Sequence, residues 1–542
     1  MISRSKVAHA VAVTAVFVTF FMSPLQAEPP FTEALKEARH KAASQERRIM
    51  YNDDGNHVKP FTTPDELIDL RLRQLIGTQV DTIAYCTGGG GLFWGHQAQV
   101  GETLGEFVTE NDGQQVRDIV SSLDALKALG TDPLSVAVAF GHAQGMEVFW
   151  SYRMNNIEDS FAAPYLSRWK REHPEFLFGK AEDYPNYEYT DPKKWWAGLD
   201  FAEAEVRDYA LRIFEDVFTR YDIDGIDLDW FRHPQFFRET RDEEPVTDEH
   251  IAMMNDFVRK VRSLSEKVGA ARGRPLLIHA RVPLSVEQSR FIGLDLTTWL
   301  EEGLVDILTF GGDLGPMAMA PQLKTMVDLA HKHKVSALAN ICGSGLQPNT
   351  GYYTEEAWRG AAANAWNVGV DGIYTFNLFP ESPKAQYLHI GSPETLKGLD
   401  KIYAIDPVQP KDFWGFDRSA LVVPDRLPIA LKADEAVRFK LPVGEDIAAN
   451  TPAGGEVHVV LRVWFPATEG DELSIQLNGK DLGLGVPAVA LVDIASPTWF
   501  EISVEPSELA VGMNHIALRL KREGASAEPI LVDRLELIVT YK

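Results

Sequence analysis

Asp224-Gly-Ile-Asp-Leu-Asp-Trp-Phe-Arg-His233 is the stretch that decides how this chain is read. Successive side chains of a strand point to opposite faces, so Ile226, Leu228 and Trp230 share one face while Asp227 and Asp229 share the other. Charged groups are seldom buried unless they are paired or used. An apolar strand that carries two carboxylates and ends in Phe231-Arg232-His233-Pro234 reads as a barrel strand delivering them to an active-site mouth.

Outward from this stretch, short apolar runs alternate with amphipathic helical patterns between residues 45 and 380, the signature of a parallel sheet. Eight runs are expected as strands: 48–52, 81–86, 147–153, 225–230, 276–281, 306–310, 335–340 and 372–377. Helices are expected at 203–219, 248–268, 321–333 and 354–367. The fold class is therefore α/β, a (β/α)8 TIM barrel over residues 45–400 with insertions. A doubly wound open sheet is disfavoured, because no Gly-x-Gly-x-x-Gly follows the first run. Past residues 380–416, expected as a linker, the helical pattern stops. Short alternating runs such as Glu456–Phe465, Leu473–Asn478 and His515–Leu520 predict an all-β sandwich over 415–542. Trp464 and Trp499 are its few candidates for exposed sugar-binding rings, and a packing role is preferred for the sandwich.

A chain of 542 residues exceeds a single core, in agreement with two domains. The net charge of -25 leaves no basic face for nucleic acid. Arg4 and Lys6 precede an apolar stretch, Val7–Met22, followed by Pro24-Leu-Gln-Ala27. Residues 1–27 therefore read as a secretory signal, which predicts a secreted or periplasmic protein without membrane association after cleavage. Cys86 and Cys342 end runs that are not neighbours, so two free buried thiols are expected rather than a disulfide.

Active sites of such barrels form at the C-terminal ends of the strands. Those ends are polar here: Asn52, Asp53 and Asp54; Trp94 and His96; Arg153 and Asn155; Asp227, Asp229, Arg232 and His233; His279 and Arg281; Asp313; Asn340; Asn377. Glycoside hydrolysis needs two carboxyl groups, one to protonate the leaving oxygen and one to attack the sugar or activate water. Asp229 is the expected nucleophile, held ionised by Arg232 or Arg281. Asp313, in a loop with Gly311, Gly312 and Gly315, is the expected acid/base. Asp227 would orient Asp229, or else form a structural ion pair. Substrate contacts are expected from Asp53, Trp94, Arg153, Asn155, Trp195, Asp227, Arg232, His233, His279, Arg281, Asn340 and Asn377. The arginines either neutralise Asp227 and Asp229 or leave a surplus for an acidic or sulfated sugar. An aromatic insertion between the third and fourth runs includes Tyr165, Trp169, Phe176, Trp195 and Trp196. Most of its rings are expected in a small core of their own, with Trp195-Trp196 the pair expected to be exposed. No His/Cys spacing calls for a metal, no motif for a cofactor, and Gly88-Gly-Gly-Gly91 lacks the Lys-Ser/Thr of a phosphate loop.

Asp224–Trp230 resembles the strand-four signature of family 18 chitinases, Asp-Gly-x-Asp-x-Asp-x-Glu, except that Phe231 stands where those enzymes carry their catalytic glutamate. The wider pattern of Ile49–Asp54, Trp150–Asn155 and Asp224–Arg232 more closely resembles the bacterial "family 10-like" glycosyl hydrolases, barrels often followed by a β-sandwich. The Asp229/Asp313 arrangement is also similar to retaining α-glycosidase clans, with a nucleophile on strand four and an acid on strand six. The resemblance implies glycoside hydrolysis, and with the signal-like residues 1–27 it gives an exported glycoside hydrolase with a carbohydrate partner. A non-catalytic sugar-binding barrel and a uronate polysaccharide lyase are the alternatives.

Overall fold

The structure is a computed structural model that describes residues 31–55, 59–183, 194–241, 244–311, 320–342, 354–376, 385–405, 427–432, 434–489, 496–521 and 530–542. Its barrel strands are β1 (Ile49–Asp53), β2 (Val80–Gly89), β3 (Glu147–Arg153), β4 (Gly225–Asp229), β5 (Leu277–Val282), β6 (Ile307–Phe310), β7 (Ser336–Cys342) and β8 (Gly372–Phe376). Each of the eight expected runs became a strand. All neighbours pair in parallel, and β1 pairs with both β2 and β8, which closes the sheet into a barrel. The helices that matter below are α1 (Glu33–Ala43), α2 (Gln114–Ala128), α3 (Pro133–Ala143), α4 (Ala204–Arg220), α5 (Asp248–Arg272), α6 (Leu296–Glu301), α7 (Ala320–Lys332) and α8 (Glu355–Asn367).

Local chemistry sets these boundaries. α5 starts at a reciprocal cap in which Thr247 and His250 satisfy each other's backbone N–H groups, and it stops at Gly273 with φ 70°. Its buried face, with Ile251, Met254, Val258 and Val261, follows the helical period and packs on the barrel wall. One device recurs at the N-terminal end of the barrel. Asp81, Asp224, Asp306 and Asp371 stand at the starts of β2, β4, β6 and β8. Each accepts the backbone N–H at the start of the preceding strand, from Arg48 (2.9 Å), Val148 (2.8 Å), Ile278 (2.8 Å) and Ala337 (2.8 Å). A carboxylate that bridges two strands at a fixed level pins their register.

Met50, Ala84, Phe149, Leu277, Ile307 and Leu338 form an apolar cluster inside the barrel, whereas Ile226, Leu228 and Trp230 face the helices in the main core. The face-sharing read from β4 is therefore the one the barrel uses.

The stretch expected as a linker instead holds two short helices, Ala385–His389 and Pro393–Leu396, and a strand, β9 (Lys401–Ala404). β9 pairs with the last strand of the chain, so the β-domain recruits a segment that directly follows the barrel. The domain continues with β10 (Ile429–Leu431), β11 (Ala436–Val443), β12 (Val457–Ala467), β13 (Glu472–Leu477), β14 (Lys480–Pro487), β15 (Ser496–Ser503), β16 (Gly512–Lys521), β17 (Ile530–Val532) and β18 (Arg534–Tyr541). An antiparallel sheet in the order β9-β18-β12-β15-β14-β13-β16-β11 curls into a near-barrel sandwich. Trp464 and Trp499 lie opposite each other on β12 and β15, and each carries a guanidinium over its ring, Arg534 at 5.3 Å and Arg462 at 4.1 Å. Ring faces occupied in this way fit the packing role.

Cys86 and Cys342 are buried and not joined in a disulfide, as expected. Among the described residues no helix is long and apolar enough to cross a membrane.

Candidate active site

Asp227 and Asp229 project from β4 into the barrel, at successive levels. Asp227 is fully buried, and its Oδ1 lies 2.8 Å from His279 Nδ1 on β5. The Tyr374 hydroxyl of β8 donates to its Oδ2 at 2.9 Å, and His279 Nε2 lies 2.7 Å from the Thr309 hydroxyl of β6. Burial works against ionising Asp227, but His279 and the hydroxyls of Ser151 and Tyr374 outweigh it and hold the carboxyl below the ordinary carboxylate range. These hydrogen bonds tie five strands together beneath the mouth. Asp227 and His279 thus pair with each other under Asp229.

Asp229 ends β4 at the level of Arg153 on β3 and Arg281 on β5. Arg281 grips it with two N–H donors, Nε to Oδ1 at 2.9 Å and Nη2 to Oδ2 at 3.0 Å, and the Phe231 amide adds a third at 3.0 Å. Burial pushes the Asp229 carboxyl above its ordinary value, while Arg281 pulls it back. The expected choice between Arg232 and Arg281 falls to Arg281. Arg232 turns instead to Glu158, donating from Nη2 at 3.3 Å. Glu158 also accepts from Arg153 Nη1 at 2.7 Å, and Arg153 Nη2 donates to Asp54 at 2.7 Å. Burial opposes ionisation of Asp54, yet Arg153 and Arg232 hold its carboxyl below the ordinary range. The mouth is therefore a belt of paired charge: Asp54, Arg153, Glu158 and Arg232 in one chain, and Arg281 with Asp229 beside it. Phe376 lies between the last two arginines, 5.9 Å from Arg232 and 4.0 Å from Arg281. Three arginines meet three carboxylates, so the surplus positive charge expected for an acidic sugar is not found among the described residues.

Several expected contacts sit elsewhere. Asp53 points behind the barrel wall, where Arg71 Nε donates to it at 3.0 Å; the mouth position belongs to its neighbour Asp54. Trp94 is fully buried beneath Arg153, whose guanidinium lies 4.7 Å from its ring. Trp195, expected to be exposed, is also fully buried, edge-on to His233 at 5.4 Å. His233 is buried too, and burial with Arg232 and Arg153 nearby drives its pKa well below the ordinary value. Asn155 spends its amide on backbone, donating to Leu199 O at 2.9 Å and Gln235 O at 2.6 Å, so it fastens two loops. Asn340 is buried inside the barrel at the level of Tyr374. Asp313 and Asn377 lie outside the described residues. In the insertion, Trp169 stacks on Tyr209 of α4 at 4.2 Å, and buried Lys170 donates to Asp159 at 2.6 Å. Burial pushes Asp159 up to about 6 against the pull of Lys170. Most of the described rings of the insertion therefore pack on the main core of the barrel, not in the separate small core expected of them.

Sequence reasoning passed over Glu158, which binds two of the mouth arginines. Its signal was its place, five residues past Arg153 in the loop that leaves β3. Ser151, Thr309 and Tyr374 were missed because a hydroxyl inside a strand looks like any other strand residue. Among the described residues no three His, Cys, Asp or Glu side chains converge on a cation position.

Residues 115–249 match the family described as glycosyl hydrolase-like 10. The matched segment runs from α2 into α5 and includes Arg153, Glu158, Asp227, Asp229 and Arg232, which agrees with the resemblance read from β3 and β4. No curated protein matches the sequence. Among solved structures, the chain is similar to α-L-fucosidase isoenzyme 2 from Paenibacillus thiaminolyticus, at 14% identity and TM-score 0.40, covering 64% of this chain and 48% of that one. It thus spans about half the fucosidase's length. It is also similar to the PgaB (BpsB) glycoside hydrolase domain from Bordetella bronchiseptica, at 11% identity and TM-score 0.39, covering 63% and 97%. A family GH18 chitinase from Chromobacterium violaceum shows 10% identity and TM-score 0.37, covering 91% and 92%. The chain is a glycoside hydrolase-like TIM barrel with a β-domain.

Proposed function

We propose that this chain is an exported enzyme that hydrolyses O-glycosidic bonds of a poly- or oligosaccharide at the C-terminal mouth of its barrel, with Asp229 as nucleophile and Asp313 as acid/base. One observation carries the reading: a carboxylate fixed at the end of β4 by a bidentate arginine, inside the segment that matches the glycosyl hydrolase-like family. Arginine stays charged and pairs with the ionised carboxylate, the form a nucleophile needs. Asp227 and His279 beneath it set the level at which Asp229 emerges. Among the described residues the arginines and carboxylates of the mouth are equal in number, which favours a neutral glycan over an acidic or sulfated one. The signal-like residues 1–27 support action outside the cytoplasm.

Release of reducing sugar from a panel of neutral and uronate-containing glycans tests this. Asp313→Asn should lower the rate by roughly 10²–10⁴-fold, the usual contribution of a general acid. Asp229→Asn should abolish release while glycan affinity persists, with the melting temperature followed because Arg281 loses its partner. A second reading, a sugar-binding barrel without catalysis, is favoured by the full occupation of both Asp229 oxygens by Arg281. No reducing sugar from any glycan, with binding retained, would establish it in place of the first. A product absorbing in the ultraviolet would point to a lyase instead.

A further inference from the structure

Where the barrel meets the β-domain there is a cleft of about 220 Å³, with Trp366, Asn367, Leu396, Lys397, Glu445 and Asn450 in its lining. Two glycines create this junction. A Cβ on Gly444 would stand 2.2 Å from Ala363 O, and one on Gly360 would stand 2.0 Å from Ile402 O, so α8 and the β-domain meet backbone to backbone. α8 returns from the C-terminal end of β7 to the start of β8. Its last residues, Trp366 and Asn367, therefore lie at the end of the barrel remote from Asp229.

The lining is built rather than incidental. Trp366 is held by its own Nε1–H, which donates to Ile390 O at 2.8 Å, and with Leu396 it makes an apolar wall. Across from it, buried Glu445 accepts from Lys401 Nζ (2.9 Å), the Tyr403 hydroxyl (2.9 Å) and Asn450 Nδ2 (2.9 Å). Its charge is answered by buried Lys401, and the amide of Asn450 is held in one orientation at the cleft. Asn367 and Lys397 add exposed donors at the rim. An aromatic and aliphatic wall beside the oriented amide of Asn450 suits a sugar ring, whose C–H face is apolar and whose edge is hydroxyl. An engineered cavity of about 150 Å³ takes a benzene ring, so this space takes one six-membered sugar ring.

We infer that the cleft is a second, non-catalytic glycan site that takes one neutral sugar unit; its ligand class rests on the hydrolase reading above. Because it lies away from the catalytic mouth, it tethers a polymeric substrate and raises the local concentration of chain for the mouth to cut.

The test uses the full chain and its Asp229→Asn variant with D-glucose, D-galactose, D-xylose and N-acetylglucosamine at millimolar concentration, read by saturation-transfer NMR. At least one sugar should bind. Trp366→Ala should remove the binding, and so should Asn367→Arg, a surface change that fills the rim without disturbing the Trp366 anchor. Asn367→Arg should also slow hydrolysis of a polymeric glycan several-fold while leaving a short soluble oligosaccharide unaffected. Failure of all four sugars to bind, binding that survives Asn367→Arg, or unchanged polymer turnover in that variant overturns the inference. Failure of the hydrolase reading looks different: the native chain would release no reducing sugar, while monosaccharide binding would still report on the cleft.

Discussion

Asp229 and Arg281 face each other with side chains only 2% and 1% exposed, so neither can be removed alone without stranding a charge. Arg281→Ala should destabilise the fold by about 3–5 kcal/mol, the usual cost of breaking a buried ion pair from one side. Urea unfolding would measure it, and a loss below about 1 kcal/mol would mean that water or another partner takes over. Arg281→Lys should recover only part, because an ammonium cannot reproduce two parallel N–H donors. His96 supplies a pH signature away from the mouth. It is fully buried beside the Thr87 hydroxyl, at 2.9 Å from Nδ1, and burial brings its pKa down to about 3. The folded chain thus keeps it neutral where the unfolded chain protonates it near pH 6.5. Its contribution to stability is complete above that value and is lost as pH falls toward 3, with a slope of up to ~1.4 kcal/mol per pH unit. Unfolding curves of His96→Gln between pH 6.5 and 5 should be flatter than those of the native chain by that slope; parallel curves would refute the assignment.

The strands themselves were legible because a parallel strand buried on both faces has little freedom in its pattern. Hydrophobic runs at the right spacing located all eight, and the two aspartates on one face of β4 were correctly assigned to the barrel interior. Partnership across the barrel was not legible. Glu158 meets Arg153 and Arg232 because the turn after β3 brings it back over the mouth, and chain order alone gives no such proximity. Trp94 and Trp195 were misplaced for a related reason: one is covered by Arg153 and the other packs edge-on to buried His233, neither of which chain order reveals. The aspartates at the N-terminal ends of the even strands give an element-level test. Asp306 is 5% exposed and holds both the Ile278 amide and Arg262 Nη2 (2.7 Å), whereas the side chain of Asp371 is 44% exposed. Asp306→Ala should cost on the order of 3 kcal/mol, since it leaves two buried donors unsatisfied. Asp371→Ala should cost about 1 kcal/mol, since water replaces much of its carboxylate. Equal losses in thermal or urea unfolding would show that burial does not govern the strength of this device.

Two domains of different architecture behave as one body only if their junction is stronger than a linker. Here the described part of the expected linker, residues 385–405, is itself structured, and β9 carries the chain from the barrel directly into the edge of the β-sheet. Lys401, fully buried on that strand, donates to Leu396 O (2.6 Å) and Leu399 O (2.9 Å) in the barrel's last segment and pairs with Glu445 of the β-domain. Three groups from two segments thus share one ammonium, and Gly360 and Gly444 let α8 approach closely enough for that network to close. An added methyl at Gly444 has no soft neighbour to displace, because it meets the carbonyl of Ala363 on a helix. Gly444→Ala should therefore cost at least the ~1–3 kcal/mol of an overpacked core and should loosen the domains as a pair. Calorimetry of the native chain should show one shared transition. In Gly444→Ala the β-domain should melt first and separately, and limited proteolysis should cut near the junction. A variant that melts in a single transition at the native temperature would mean that the barrel and β-domain are joined only by the chain that runs between them.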